Sequence, residues 1–183
     1  MSSIEASTYM RHMNIKNAAI ELGISWHTLY TRLKNQGVAM RSDKLKYGSD
    51  RDKLGALAER LFKEMVPFAQ DRNDVEYQAK YDFDVGDMKV DVKSSKPRQL
   101  SKKFAAKSWS FSFKKQSHCC DFFVCFCCED DATVSKILLV PKEFFVGLQT
   151  ISVSRNGSSK WLEYSIEPHE LGGFFSSLME GSQ

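Results

Sequence analysis

Hydrophobic and polar positions alternate most strictly over residues 75–85, VEYQAKYDFDV, where every odd position is apolar and those between are polar. Unbroken period-two alternation predicts a β-strand with one buried face. Gly86 and Asp87 fit a two-residue turn of the Gly-X kind, and MKVDVK, apolar at Met88, Val90 and Val92, predicts the returning strand. With that turn, Val85 pairs with Met88, Phe83 with Val90 and Asp82 with Asp91. Asp82, Asp84, Asp91 and Lys93 then share the face opposite the core.

A helical rhythm precedes the hairpin. Residues 54–65, LGALAERLFKEM, are apolar at Leu54, Leu57, Ala58, Leu61, Phe62 and Met65, which is one face of an amphipathic helix that Pro67 stops. Earlier still, residues 14–37 carry Ile15, Ala18, Ala19 and Leu22 on one helical face, with Gly23 as the C-cap. Ser25 is the N-cap of a second helix whose inner side holds Leu29 and Leu33. Two helices joined at a glycine by a tight turn make a helix-turn-helix. From Val38 to Asp52 the periodicity lapses, as in a linker with room for a brief helical turn.

After the hairpin the chain returns to strand patterns. KSWSFSFKKQ alternates Trp109, Phe111 and Phe113, and DFFVCFC and KILLVP read as buried central strands. PKEFFVGL opens a helix at its proline, and PHELGGFFSSLM predicts a closing helix. TISVSR and KWLEYSI flank Asn156-Gly157, a strong hairpin signal. The expected fold is therefore α/β, a mixed central sheet flanked by helices, preceded by a small helical module. The expected divisions are residues 1–38, a linker over 39–52, and a second domain over 53–183.

Composition narrows the picture without deciding it. The chain has 183 residues, of which 42% are hydrophobic, enough for a real core. No apolar run approaches the ~20 residues of a bilayer span, and MSSIEASTYMRHMN lacks the apolar middle of a signal peptide. A cytoplasmic protein with no membrane partner is expected. Five cysteines crowd into HCCDFFVCFCC, inside an apolar run and without the spaced pairs of a zinc site, so they read as small buried hydrophobes. The net charge of +3 is mild, but 41–53 and 93–107 are rich in lysine.

The hairpin carries the chemistry. Opposed residues on paired strands have Cβ atoms about 4.5–5.5 Å apart, and carboxylates that close repel unless one is protonated or a cation lies between them. A hard divalent ion held by one or two carboxylates and by phosphate oxygens suits that arrangement. Asp82, followed across a hairpin by Asp91-Val92-Lys93, resembles the active-site motif of the PD-(D/E)xK nucleases, except that Tyr81 stands where the motif has proline. The preceding helix, with Glu59, also resembles that family, as does the order helix, strand, hairpin strand, helix, strand. The C-terminal half is similar to the homing endonucleases of group I introns within the same superfamily.

The resemblance implies a Mg²⁺-dependent DNA endonuclease, with Mn²⁺ able to substitute, that is site-specific in the homing or restriction manner. Asp82 and Asp91 would bind the metal, with the Val92 carbonyl as a further ligand. Lys93 would position the attacking water and Glu59 would assist; Glu59 is otherwise a solvated residue, and Glu64 is its rival. Gln116 is either a fifth site residue or part of a polar turn, and Lys114 and Lys115 could hold a phosphate backbone. The helix-turn-helix resembles the DNA-binding kind, which would bring Trp26, His27, Tyr30, Thr31 and Lys34 to the major groove of double-stranded DNA, with Arg32 and Lys16 on phosphates. A helical hairpin that merely packs on the second domain is the plainer alternative. Cutting both strands calls for two sites, hence a homodimer or homotetramer. A junction resolvase or nickase of the same fold, and a DNA-binding regulator with an inactive nuclease-like domain, are the alternative functions.

Overall fold

The computed structural model describes residues 3–41, 43–74, 79–99, 107–113, 119–130, 133–145 and 147–181. They divide into two compact units, Met1–Lys53 with Asn73–Ala79, and Leu54–Arg72 with Lys80–Gln183.

The first unit is helical. α1 (Ile4–His12) begins at Ser3, whose hydroxyl accepts from the Ala6 N–H, and ends at Met13 with φ +47°. α2 (Ile15–Glu21) is capped by Asn14, which accepts from the N–H groups of Lys16 and Asn17. α3 (Trp26–Asn35) is capped by Ser25, which accepts from Thr28 N–H. Between α2 and α3 the chain reverses at Gly23, whose φ of +64° is easy only for glycine. Ala6, Tyr9, Ala18, Ala19, Leu29 and Leu33 form the core of this unit. α1 lies outside the sequence expectation because it offers that core only Ala6 and Tyr9 as buried apolar side chains, too few to write a helical stripe. The stretch expected as linker contains α4 (Lys44–Tyr47), capped by Asp43. α5 (Asp50–Met65) also starts earlier than its apolar stripe, with Asp50 and Asp52 in its first turn, where carboxylates favour a helix N-terminus.

The second unit is built on a six-stranded mixed sheet. Its strands are β1 (Gln70–Asp71), β2 (Phe83–Val85), β3 (Met88–Ser95), then β6 (Phe122–Cys128), β7 (Val134–Pro141) and β9 (Ser165–Ile166), in the order β1-β2-β3-β6-β7-β9. A second sheet is formed by β4 (Arg98–Gln99), β5 (Lys107–Ser112) and β8 (Thr150–Ser154) in the order β4-β5-β8. Only the β3–β6 pair in the larger sheet is parallel. The short α6 (Lys142–Phe145) follows β7, and α7 (Pro168–Glu180) closes the unit.

Each face of the larger sheet has its own core. Leu54, Ala58 and Phe62 of α5 and Leu171 and Phe175 of α7 pack on Phe83, Val85, Val90, Val92, Val124 and Phe126. On the other face, Trp109 and Phe111 of β5 and Ile151 and Val153 of β8 pack on Phe123, Cys125, Cys127, Leu138 and Val140. The five cysteines are all free thiols. Burial pushes the Cys125 thiol up, and burial with the Cys128 charge beside it brings Cys127 to about 12, so both stay protonated hydrophobes.

The hairpin register agrees with the pattern, since Val85 lies opposite Met88 and Phe83 opposite Val90. Gly86 has φ +60° while Asp87 does not take a positive φ, as a type II′ turn requires. A Cβ at Gly86 would lie 3.2 Å from Cγ of Met179 on α7.

Three expectations fail. The strand expected over 75–85 is a strand only at Phe83–Val85; residues 75–78 lie outside the described residues, and at Tyr81 the alternation breaks, because its ring joins the second core. The Asn156-Gly157 turn does not join a hairpin. β8 pairs with β5 instead, and Lys160–Tyr164 coils into a short 3-10 helix that buries Trp161 in the second core. Among the described residues the crossover from β3 to β6 carries β4 and β5 where the resemblance implied a helix.

Candidate active site

The chemistry gathers beside the first residue of β2, where β3 runs on past it. β3 directs Val90 and Val92 to the helix-covered face, so Asp91 and Lys93 point to the other one. Opposite them in the parallel register stand Phe123 and Cys125. The face expected to be opposite the core is therefore itself covered, and Asp91 is only 2% exposed.

Asp91 Oδ2 is ion-paired with Lys93 Nζ, whose side chain is 22% exposed, but it accepts no hydrogen bond of regular geometry. The Lys93 ammonium also lies 5.8 Å from the centre of the Phe123 ring. Asp82 reaches the same place from just before β2. Its Oδ2 accepts from Val92 N–H at 2.8 Å, and its own N–H donates to Val90 O at 3.1 Å. A strand residue directs its N–H and C=O to one edge, so the Val92 carbonyl shares the edge at which Asp82 stands.

Burial pushes the Asp91 carboxyl up to about 7, the Asp82 charge adds to this, Lys93 opposes it, and Glu59 raises it slightly further. Glu59 on α5 is half-buried and thus within electrostatic reach of Asp91. Glu64 is not in the group; it is exposed and paired with Arg60 at 3.0 Å one turn away. Burial and the Asp91 charge hold the Cys120 thiol far above its usual range, which puts Cys120 beside the same carboxylate.

Two carboxylates at the end of a hairpin, one main-chain carbonyl and a nearby glutamate can hold a hard divalent cation. Among the described residues no three His, Cys, Asp or Glu side chains close into a ready-made ligand cluster, so water or phosphate would fill the remaining positions, as is usual for magnesium. Gln116, Lys114 and Lys115 lie outside the described residues.

In the first unit, Trp26, His27, Tyr30, Thr31 and Lys34 are all exposed along α3, and Lys16 is exposed on α2. The rings of Trp26 and His27 lie together, with centres 3.6 Å apart and planes tilted by 30°. Arg32, expected on phosphates, is exposed and paired with Glu5 of α1 at 3.1 Å.

The pattern reading missed two residues near Asp82. Arg72 donates its backbone N–H to Asp82 O at 2.8 Å, and Arg72 and Lys89 both lie 5.8 Å from the centre of the Tyr81 ring. Arg72 lies before the alternating run, and its pairing with Asp82 joins positions ten apart that no periodicity announces. Lys89 sits two residues before Asp91 and was open to the same alternation argument.

No protein-family model matches the chain, and no curated protein matches it. A solved structure of a bacterial homing endonuclease, I-Ssp6803I, superposes on 70% of this chain and 96% of its own with a TM-score of 0.46 at 18% sequence identity.

Proposed function

We propose that the protein is a Mg²⁺-dependent DNA endonuclease of the PD-(D/E)xK kind, with the first unit docking on double-stranded DNA and the second hydrolysing a phosphodiester. The observation that carries this reading is the convergence of Asp82, Asp91 and Lys93 just before β2 begins. A buried acid crowded by a second carboxylate and an ammonium group is the kind of perturbed cluster that functional sites favour.

Asp82, Asp91 and the Val92 carbonyl would hold the ion. Mg²⁺, when bound, neutralises charge on the phosphate and lowers the pKa of water. Asp91 would serve as an anionic ligand only after losing its proton, so the cation competes with that proton and its binding strengthens as pH rises. Lys93 donates to the attacking water or to the developing phosphate charge, and its placement is fixed by Asp91. Glu59 adds negative charge on the α5 side, which opposes ionisation of the empty site but would attract the cation. Trp26, His27, Tyr30, Thr31 and Lys34 enter the major groove, and a homodimer supplies the second site for a double-strand cut.

Nicking of supercoiled plasmid with Mg²⁺, and its loss on adding a chelator, tests the reading. Asp91→Asn and Lys93→Ala should each lower the rate by about 100-fold or more while duplex binding is kept. Retained cleavage by either variant ends the assignment. A wild type that binds duplex without metal-dependent nicking would leave the regulator as the function.

A further inference from the structure

Beside the carboxylate pair lies a second group whose chemistry the cleavage machinery does not use. We infer that Arg72 and Lys89, seated against the Tyr81 ring, grip a DNA backbone phosphate neighbouring the one that is cut. The inference rests on the endonuclease reading and names the part of the substrate that this flank of the site holds.

The backbone sets the placement. β1 pairs with β2 through Asp71 opposite Phe83, and the Arg72 N–H to Asp82 O bond extends that ladder by one residue. Arg72 therefore stands opposite Asp82, and directly opposed side chains share a face. On β3, Lys89 lies two residues before Asp91 and so shares its face, directly opposite Asp84. Arg72 and Lys89 thus border the carboxylates on the side away from Lys93.

The side chains are also held. Arg72 Nη1 is 3.4 Å from Asp84 Oδ2, and its Cζ is 5.8 Å from the Tyr81 ring centre. Lys89 Nζ is 5.8 Å from the same ring centre, within the range at which a cation is drawn to an aromatic face. Tyr81 packs on the second core, which fixes the ring. Two cations on one anchored aromatic form a preorganised cradle, and the planar guanidinium fork matches phosphate oxygens.

A purely structural role for Arg72 would be the alternative. Its partner Asp84 is 25% exposed and Arg72 29%, but their contact is a single one at 3.4 Å, longer than a good hydrogen bond, so it contributes little. Removing the pair should leave folding almost untouched, whereas a charge-assisted contact to phosphate is worth about 10- to 100-fold in affinity.

The test uses the full chain and a short duplex taken across the position that wild type nicks in plasmid. Ca²⁺ replaces Mg²⁺ so that binding is read without cutting. Single methylphosphonates, which carry no charge, are scanned along the flanking phosphates. The Arg72→Ala, Lys89→Ala double variant should bind the unmodified duplex about 10- to 100-fold more weakly, and its slope of log affinity against log salt should fall by about 1–2. At one flanking position, the neutral phosphate should weaken wild type and leave the double variant unchanged. Under Mg²⁺ the variant should raise KM more than it lowers kcat. Additive losses at every position, or wild-type affinity in the double variant, overturn the inference. Should the double variant melt early, Arg72→Lys with Lys89→Gln carries the same scan. A wild type that never nicks defeats the endonuclease reading instead, and the salt slopes on bound plasmid fragments then decide this one.

Discussion

The two faces of β3 are both buried, yet they are built on opposite principles. Towards the helices, Val90 and Val92 meet Phe62, Phe83, Leu171 and Phe175 in a core without a charged side chain. Towards the smaller sheet, the same strand presents Asp91, Lys93 and Ser95 among phenylalanines and thiols. There Ser95 Oγ accepts from Ser110 N–H at 3.0 Å, and Trp109 Nε1 donates to Cys128 O at 3.0 Å, so polar groups on this side are answered one by one. Asp91 is the exception, with an oxygen that meets only an ammonium group. The contrast teaches that one strand can anchor the fold with its even residues and keep a buried acid–ammonium pair with its odd ones, because the pleat separates the two tasks.

The largest expected effect probes the hydrocarbon face. Phe62 lies 4.8 Å from Phe83 and 6.0 Å from Phe175 between ring centres. Phe62→Ala should destabilise by about 3–5 kcal/mol, read from urea midpoints. A loss below about 1 kcal/mol would mean that this face does not anchor the unit.

The charged face should behave in the reverse way. Folding raises the Asp91 pKa from the usual carboxylate range to about 7. Between about pH 4 and 7 the native state therefore holds a proton that the unfolded chain releases. This stability is complete below about pH 4, declines as pH rises through 7 and is level above it, a change on the order of a few kcal/mol. Asp91→Asn removes it, so in chelator the variant should gain on wild type between pH 5 and pH 8. A constant difference across that range would mean that Asp91 is ionised throughout.

The smallest effect joins the face to its proposed ion. At pH 8, Mg²⁺ at a hundredfold excess over Kd should stabilise wild type by about 2.7 kcal/mol and Asp91→Asn by much less. Equal thermal shifts in the two proteins would place the ion elsewhere.

The features legible in sequence were those set by neighbours along the chain. The Gly23 reversal, the Ser25 cap and the Gly86-Asp87 turn each depend on a few residues, and all stand as expected. The hairpin register followed from the same turn, so the closeness of Asp82 to Asp91 followed as well. What failed depended on distant pairing. Asn156-Gly157 has every local mark of a hairpin, but β8 finds a better partner in β5, whose Trp109 and Phe111 match Val153 and Ile151 across the ladder. Nothing near Asp91 announces that β5 and β8 will cover it, so its burial, and with it the raised pKa, was out of reach. The break at Tyr81 was hidden for a related reason. An aromatic ring fits either face of the pattern, and only the second core decides which one it takes.

Gly86 sits at the hairpin tip with Met179 pressed against the space where a side chain would grow. Any side chain at Gly86 would have to displace that methionine and also hold a φ of +60°, so the tip is closed to other residues on two separate counts.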